Sequence, residues 1–169
     1  MKTFFVYVSV LFAMFTVCTA CSKDDDEAFS PEQTQWMNEN RAYLRQKIAE
    51  TDSVGKPLYK QVIIYGDTAL YRITKKEGNY VSHPTLTSNV TFTDFSGVLM
   101  NKTVFQKPFT ATYQPKRLIP GVAYVVLEAC PDETIEAIIP ASLGYGFQNH
   151  SNIPAGSTLI FTFTVSNIM

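Results

Sequence analysis

Two histidines, three cysteines and a scatter of carboxylates are the residues of this chain whose types could serve as metal ligands, nucleophiles or bases. Their spacing supports none of those roles. His83 and His150 each lack a Cys, His or carboxylate partner at metal-ligand spacing, and no Gly-rich phosphate loop, nucleophile elbow or carboxylate dyad is present. Cys130, without a matched His or Asp motif, reads as a small buried apolar residue rather than a nucleophile. Any catalysis must therefore proceed without a nucleophile, and the sequence implies no metal or other cofactor. What stands out instead is residues 141–165, "ASLGYGFQNHSNIPAGSTLIFTFTV". Its second half is a strand. Its first half is a loop carrying Tyr145, His150, Ile153 and Pro154.

The elements that must hold such a loop can be read from period and punctuation. At 169 residues and 46% hydrophobic, the chain suits one packed domain plus a tail. Ser30, Pro31 and Gln33 form a capping-box signature, so "PEQTQWMNENRAYLRQKIAE" should be helical to about Glu50, with Gly55 and Pro57 ending it. Met37, Leu44 and Ile48, with Trp36 beside them, give it a modest apolar stripe. That stripe fits a helix docked on its own domain, the alternative being a dimerisation helix.

From residue 59 the period changes to two. "YKQVIIY", a "GD" turn and "ALYRIT" read as a hairpin, followed by the polar turn "KKEGN". "NVTFTDFSGVLM", "TVF", "TIEAIIP" and "STLIFTFTVSNI" read as further strands, and residues 119–129 as a short helix whose Val125 and Val126 oppose it on propensity. In the last strand Leu159, Phe161, Phe163 and Val165 share a face, with Ser157, Thr162 and Thr164 assigned to the opposite one. That pattern predicts a sheet covered on one side and wet on the other. The expected fold is α+β: an antiparallel sheet of about five strands wrapped around one short helix, with an extra N-terminal helix.

The first twenty residues, "MKTFFVYVSVLFAMFTVCTA", have one early lysine and then an apolar and small-residue run, the layout of a secretory signal peptide. "VCTA" followed by Cys21 resembles a bacterial lipobox, which makes Cys21 the expected lipidation site. The acidic run in "SKDDDE" resembles a surface-export signal of some Gram-negative lipoproteins, or serves as a solvated tether. The organisation is therefore read as signal peptide 1–20, lipidated cysteine and linker 21–30, helix 31–56 and a main domain 57–169. The expected location is an exported outer-membrane lipoprotein held to the membrane by its lipid, with cell-surface exposure as the finer expectation. Net charge is -1 with scattered cations, so nucleic acid is not an expected partner.

"IIPASLGYGFQNHSNIPAGSTLIFTFTV" resembles the C-terminal signature of FKBP-type peptidyl-prolyl isomerases, through Pro140, Gly144-Tyr145-Gly146, Ile153-Pro154, Thr158-Leu159 and Phe161. "VTFTDFSGVLMNKTVF" and "LIPG" extend the resemblance upstream, over residues 62–168 or so. It implies an FKBP-like fold and a hydrophobic aromatic pocket for X-Pro peptides. Tyr145 would donate to a substrate carbonyl, and Phe105 and Phe161 would be catalytic walls beside it. Phe109 would extend the wall, Leu118 and Ile119 would supply apolar sides, and His150 and Ile153 would come from the loop. Macrolide-type ligands are a second class of occupant that the resemblance implies.

Three positions depart from the family pattern. Val122 replaces the tryptophan that floors the pocket, Gln106 replaces an aspartate, and Phe95 replaces a tyrosine. A charge and the hydroxyl that can bond it are lost together, which points to an altered ligand. Two functions follow as expectations: a peptidyl-prolyl isomerase helping extracytoplasmic proteins to fold, or a weakly catalytic FKBP-fold lipoprotein that binds a peptide or small molecule.

Overall fold

The computed structural model describes residues 29–77 and 82–169. The expected signal peptide, Cys21, the acidic linker through Ala28, and Gly78 and Asn79 of the expected "KKEGN" turn lie outside the described residues, whereas Lys75 and Lys76 are in extended strand. Among the described residues no helix is long and apolar enough to cross a membrane.

Helix α1 covers Pro31–Ala49, and its start follows from local chemistry. Ser30 Oγ accepts from the Gln33 amide at 3.2 Å, while the Ser30 amide donates to Gln33 Oε1 at 2.9 Å. Two otherwise orphaned donors are thereby satisfied. Strands β1 (Lys60–Ile64) and β2 (Asp67–Lys76) form the expected hairpin, with Tyr65 and Gly66 both at positive φ in its turn. β3 (Val90–Leu99), β4 (Val104–Tyr113), α2 (Pro120–Leu127), β5 (Glu133–Ile139) and β6 (Leu159–Ile168) complete the fold. The sheet is antiparallel throughout, in the order β1-β2-β5-β6-β3-β4.

The sheet has six strands, one more than the sequence led us to expect. β4 is also longer than its sequence reading, continuing through Pro108 to Tyr113 instead of stopping at Phe105. β4 is an edge strand, and the register shifts from Phe95 opposite Phe109 to Gly97 opposite Gln106. A proline without an amide donor is tolerated at such an irregularity.

α2 packs against β1, β2 and β5 on one face of the sheet. Val122, Val125 and Val126 are all buried there, so burial overrides their weak helix propensity. The opposite face is not simply wet. α1 lies over part of it, with Tyr43 and Leu44 packed on the buried cluster of Tyr59, Leu70 and Ile138. The buried stripe of α1 runs through Met37 and Asn40, with Trp36, Tyr43 and Leu44 half-buried, whereas Ile48 is exposed. Ser157 also departs from expectation. It precedes β6, is buried, and accepts from Trp36 Nε1 at 3.0 Å.

Around this docked helix the Tyr59 hydroxyl donates to Glu136 at 2.6 Å, and Arg72 pairs with the same carboxylate while stacking on the Tyr59 ring. Burial, then the Glu136 bond, pushes the Tyr59 phenol well above its ordinary range. Cys130 is buried, as its sequence context implied, and burial followed by the nearby Glu133 charge pushes its thiol up. The fold does bring the His83 ring to 3.9 Å from the Cys130 sulfur, a proximity invisible in the sequence.

Candidate functional site

A β-bulge in β3 sets up the site. Val90 and Phe92 point into the core, then the inward phase slips by one so that Phe95, Gly97 and Leu99 are the buried positions. Asp94, at φ 54° and exposed, marks the slip, which coincides with register shifts against both β4 and β6. Without that extra residue Phe95 would face the other side of the sheet.

Phe95 then becomes the hub of an aromatic cluster. Its ring lies 5.3–5.6 Å from those of Phe92, Phe109, Phe161 and Phe163. Phe161 in turn meets Phe105 edge-on at 5.4 Å and 88°. Offset and edge-to-face arrangements at this spacing are the favourable ones for aromatic pairs. Phe105 reaches its place because its partner strand carries Gly97, where an added Cβ would run into the Phe105 ring. The wall of the site thus depends on a missing side chain.

Between this wall, the segment before α2 and the 141–157 loop lies a cleft of about 470 Å³. Phe105, Phe161, Phe95 and Phe109 form its aromatic side. Leu118, Ile119 and Val122 form the side nearest α2, with Val122 buried at 1% exposure, and Gln106 and Tyr145 complete the residues expected there. Gln106 has turned its amide along the strand, donating to the Lys107 carbonyl at 3.0 Å.

The loop holds Tyr145 at the rim, 38% exposed. Gly146, at φ 77°, allows its amide to donate to Ala141 at 2.8 Å and its carbonyl to accept from Gly156 at 3.0 Å. His150 and Ile153 exchange two backbone bonds of 2.9 Å, and the Asn149 side chain accepts from the Ala155 amide at 2.9 Å. These bonds pin a loop that is otherwise long for its secondary structure.

His150 and Ile153 do not line the cleft. The tight turn between them sends Ile153 down into the core, where it is buried, and lays the His150 ring against Tyr145, stacked at 4.6 Å and 14°. In this arrangement His150 backs the rim residue Tyr145 and Ile153 packs in the core. Two lining residues were not anticipated, Tyr113 and Arg117. Tyr113 was signalled by the alternation that starts at Phe109 and runs through Ala111, and Arg117 by its place directly before Leu118.

Such a cleft can do chemistry only by shape, burial and hydrogen bonding. The planar amide is held by resonance with a barrier of about 18–20 kcal/mol, and that resonance places charge on its oxygen. An apolar enclosure favours the less polar twisted amide over the planar one, while a donor such as the Tyr145 hydroxyl can hold the carbonyl.

Known structures share this architecture. FkpA from Escherichia coli superposes with a TM-score of 0.64 at 19% identity, covering 81% of this chain and 62% of that one. A peptidyl-prolyl cis-trans isomerase from Pseudomonas syringae gives 0.67 at 15% identity, covering 83% of this chain and 98% of that one. The three-domain structure of wheat FKBP73 gives 0.53 at 24%, covering 60% and 46% respectively. This chain therefore spans less than two thirds of the Escherichia coli and wheat chains. No curated protein matches its sequence. The model of the FKBP-type peptidyl-prolyl cis-trans isomerase family matches residues 82–166. That match takes in half of the chain and every residue that lines the cleft, and the chain belongs to the FKBP-type peptidyl-prolyl cis-trans isomerase family.

Proposed function

We propose that this protein is a lipid-anchored peptidyl-prolyl cis-trans isomerase that accelerates X-Pro rotation in extracytoplasmic polypeptides and so helps them fold. The observation that carries the reading is the cleft itself: aromatic walls along a largely apolar space of about 470 Å³, with Tyr145 at its rim. Each 1.36 kcal/mol of selective stabilisation of the twisted amide gives about a tenfold rate increase, and no acid, base or metal is needed.

The floor favours a second reading. Val122 supplies an aliphatic surface where the family pattern has a tryptophan, and Gln106 with Phe95 lacks the family's aspartate and tyrosine. A fold kept without catalysis would be a binding module for proline-containing peptides or macrolide-type ligands. Exchange of a proline peptide, followed by magnetisation-transfer NMR, separates the two. The parent chain is expected to raise the exchange rate above background, and Val122→Trp to raise it further if the buried site accepts the ring. Overpacking costs about 1–3 kcal/mol, so melting is measured alongside. A parent without activity, together with a folded Val122→Trp, Gln106→Asp, Phe95→Tyr variant that gains it, would establish the binding module.

Export and anchoring are proposed from the leader and Cys21. Mass spectrometry of the mature protein is expected to find a lipid-bearing N-terminal peptide beginning at Cys21. An intact leader, or acylation at Cys18, would defeat that placement. Protease accessibility in whole cells, with Asp24, Asp25 and Asp26 intact or replaced by alanine, separates a surface-export signal from a tether.

A further inference from the structure

One wall of the cleft carries a formal charge. Arg117 ends the short turn Pro115–Arg117 and stands directly before Leu118 and Ile119, and the remaining lining residues are Phe, Tyr, Leu, Ile, Val and Gln. Among the described residues Arg117 joins none of the ion pairs, whereas Lys47, Arg72, Lys75 and Lys76 each hold a carboxylate. The surroundings share its sign. From Phe95 to Leu127, through β4 and α2, the charged residues are Lys102, Lys107, Lys116 and Arg117, with the carboxylates Asp94 and Glu128 flanking the stretch at its two ends, although the whole chain has net charge -1. The opposite rim, residues 141–157, contributes no Asp or Glu.

A single-sign field beside a low-dielectric wall is focused into the cleft and attracts an opposite charge. Guanidinium is the side chain best shaped for a carboxylate, through its planar fork of donors. Resting on the reading of this cleft as an X-Pro peptide site, we propose that its preferred substrates carry a carboxylate side chain next to the proline, with Arg117 as the specificity-determining residue that pairs with it. Phe and Leu walls hold the proline ring, and Arg117 selects its neighbour.

The test uses the full chain and capped peptides of the form acetyl-Ala-Xaa-Pro-Ala-amide with Xaa as Glu, Gln or Lys, plus a set with Glu after the proline. Exchange rates by NMR and dissociation constants by peptide titration are both recorded. Glu is expected to exceed Gln in kcat/KM and in affinity by about two- to fivefold, the range of a solvent-accessible ion pair, and Lys to fall below Gln. Arg117→Gln should abolish the Glu/Gln ratio, and Arg117→Glu should invert the order of Glu and Lys. Raising salt from about 0.1 M to about 1 M, where the Debye length shrinks from ~10 to ~3 Å, should flatten it.

Equal rates for Glu and Gln peptides would overturn the proposal while leaving the isomerase reading intact. So would a Glu preference that survives Arg117→Gln. If no peptide exchanges faster than background, the isomerase reading falls and affinity decides: Glu bound more tightly through Arg117 supports the charge selection, and equal or absent binding ends it.

Discussion

Asn40→Ala is expected to destabilise the protein by about 2–4 kcal/mol, one of the largest effects available from a single polar side chain here. Asn40 lies at 1% exposure between α1 and the start of β6. Its Oδ1 accepts from the Thr158 amide at 2.7 Å, and its Nδ2 donates to the Trp36 carbonyl at 2.8 Å. Alanine would strand the Thr158 N–H in a buried position, costing about 1–3 kcal/mol, and would also leave a void beside Met37. Asn40→Asp keeps an acceptor but buries a charge and loses the Trp36 bond, so it should be no milder. Denaturant unfolding measures both. Because α1 covers the sheet face opposite α2, proline-peptide exchange at low temperature should survive the change. A loss below about 0.5 kcal/mol would mean that α1 contributes little to the fold.

That contact also shows where sequence reading stops. The cap at Ser30, the β1–β2 hairpin and the alternation of β6 are local, and each was legible because one short stretch contains its own physical reason, although the hairpin turns at Tyr65-Gly66, one residue before the "GD" read for it. Asn40 and Thr158 meet across 118 residues, and a polar residue on a helical stripe gives no sign of what it will bond. The run of β4 past Pro108 was hidden for a related reason. Proline breaks a strand unless that strand lies at an edge, and edge position is a property of the finished sheet.

The site was legible in its members more than in their orientation. Phe92 and Phe95, three apart in a strand of period two, record a phase slip whose meaning emerges only with the bulge at Asp94. His150 and Ile153 match the family loop in order, yet backbone pairing between them turns one into the core and the other behind Tyr145. Tyr113 and Arg117 enter because β4 is long and the turn after it folds back, both tertiary facts.

Loss of the wall should be the most damaging change within the cleft: Phe105→Ala is expected to lower kcat/KM for X-Pro exchange at least about tenfold, or more than 1.36 kcal/mol of transition-state stabilisation. Tyr145→Phe should lose less, about fivefold, because it removes one carbonyl bond worth about 1 kcal/mol. Phe105 is suited to the test because it is only half-buried, and Phe161 remains packed on Phe95 when it is gone, so the fold should hold. Gly97→Ala then separates ring content from ring position. The added methyl would displace the Phe105 ring without removing an aromatic carbon. If Gly97→Ala matches Phe105→Ala in kcat while melting stays near the parent value, the enclosure needs the wall in place, as a twisted amide stabilised by shape requires. If both variants raise KM and leave kcat unchanged, the wall binds planar and twisted amides equally, and the cleft holds its peptide without accelerating its rotation.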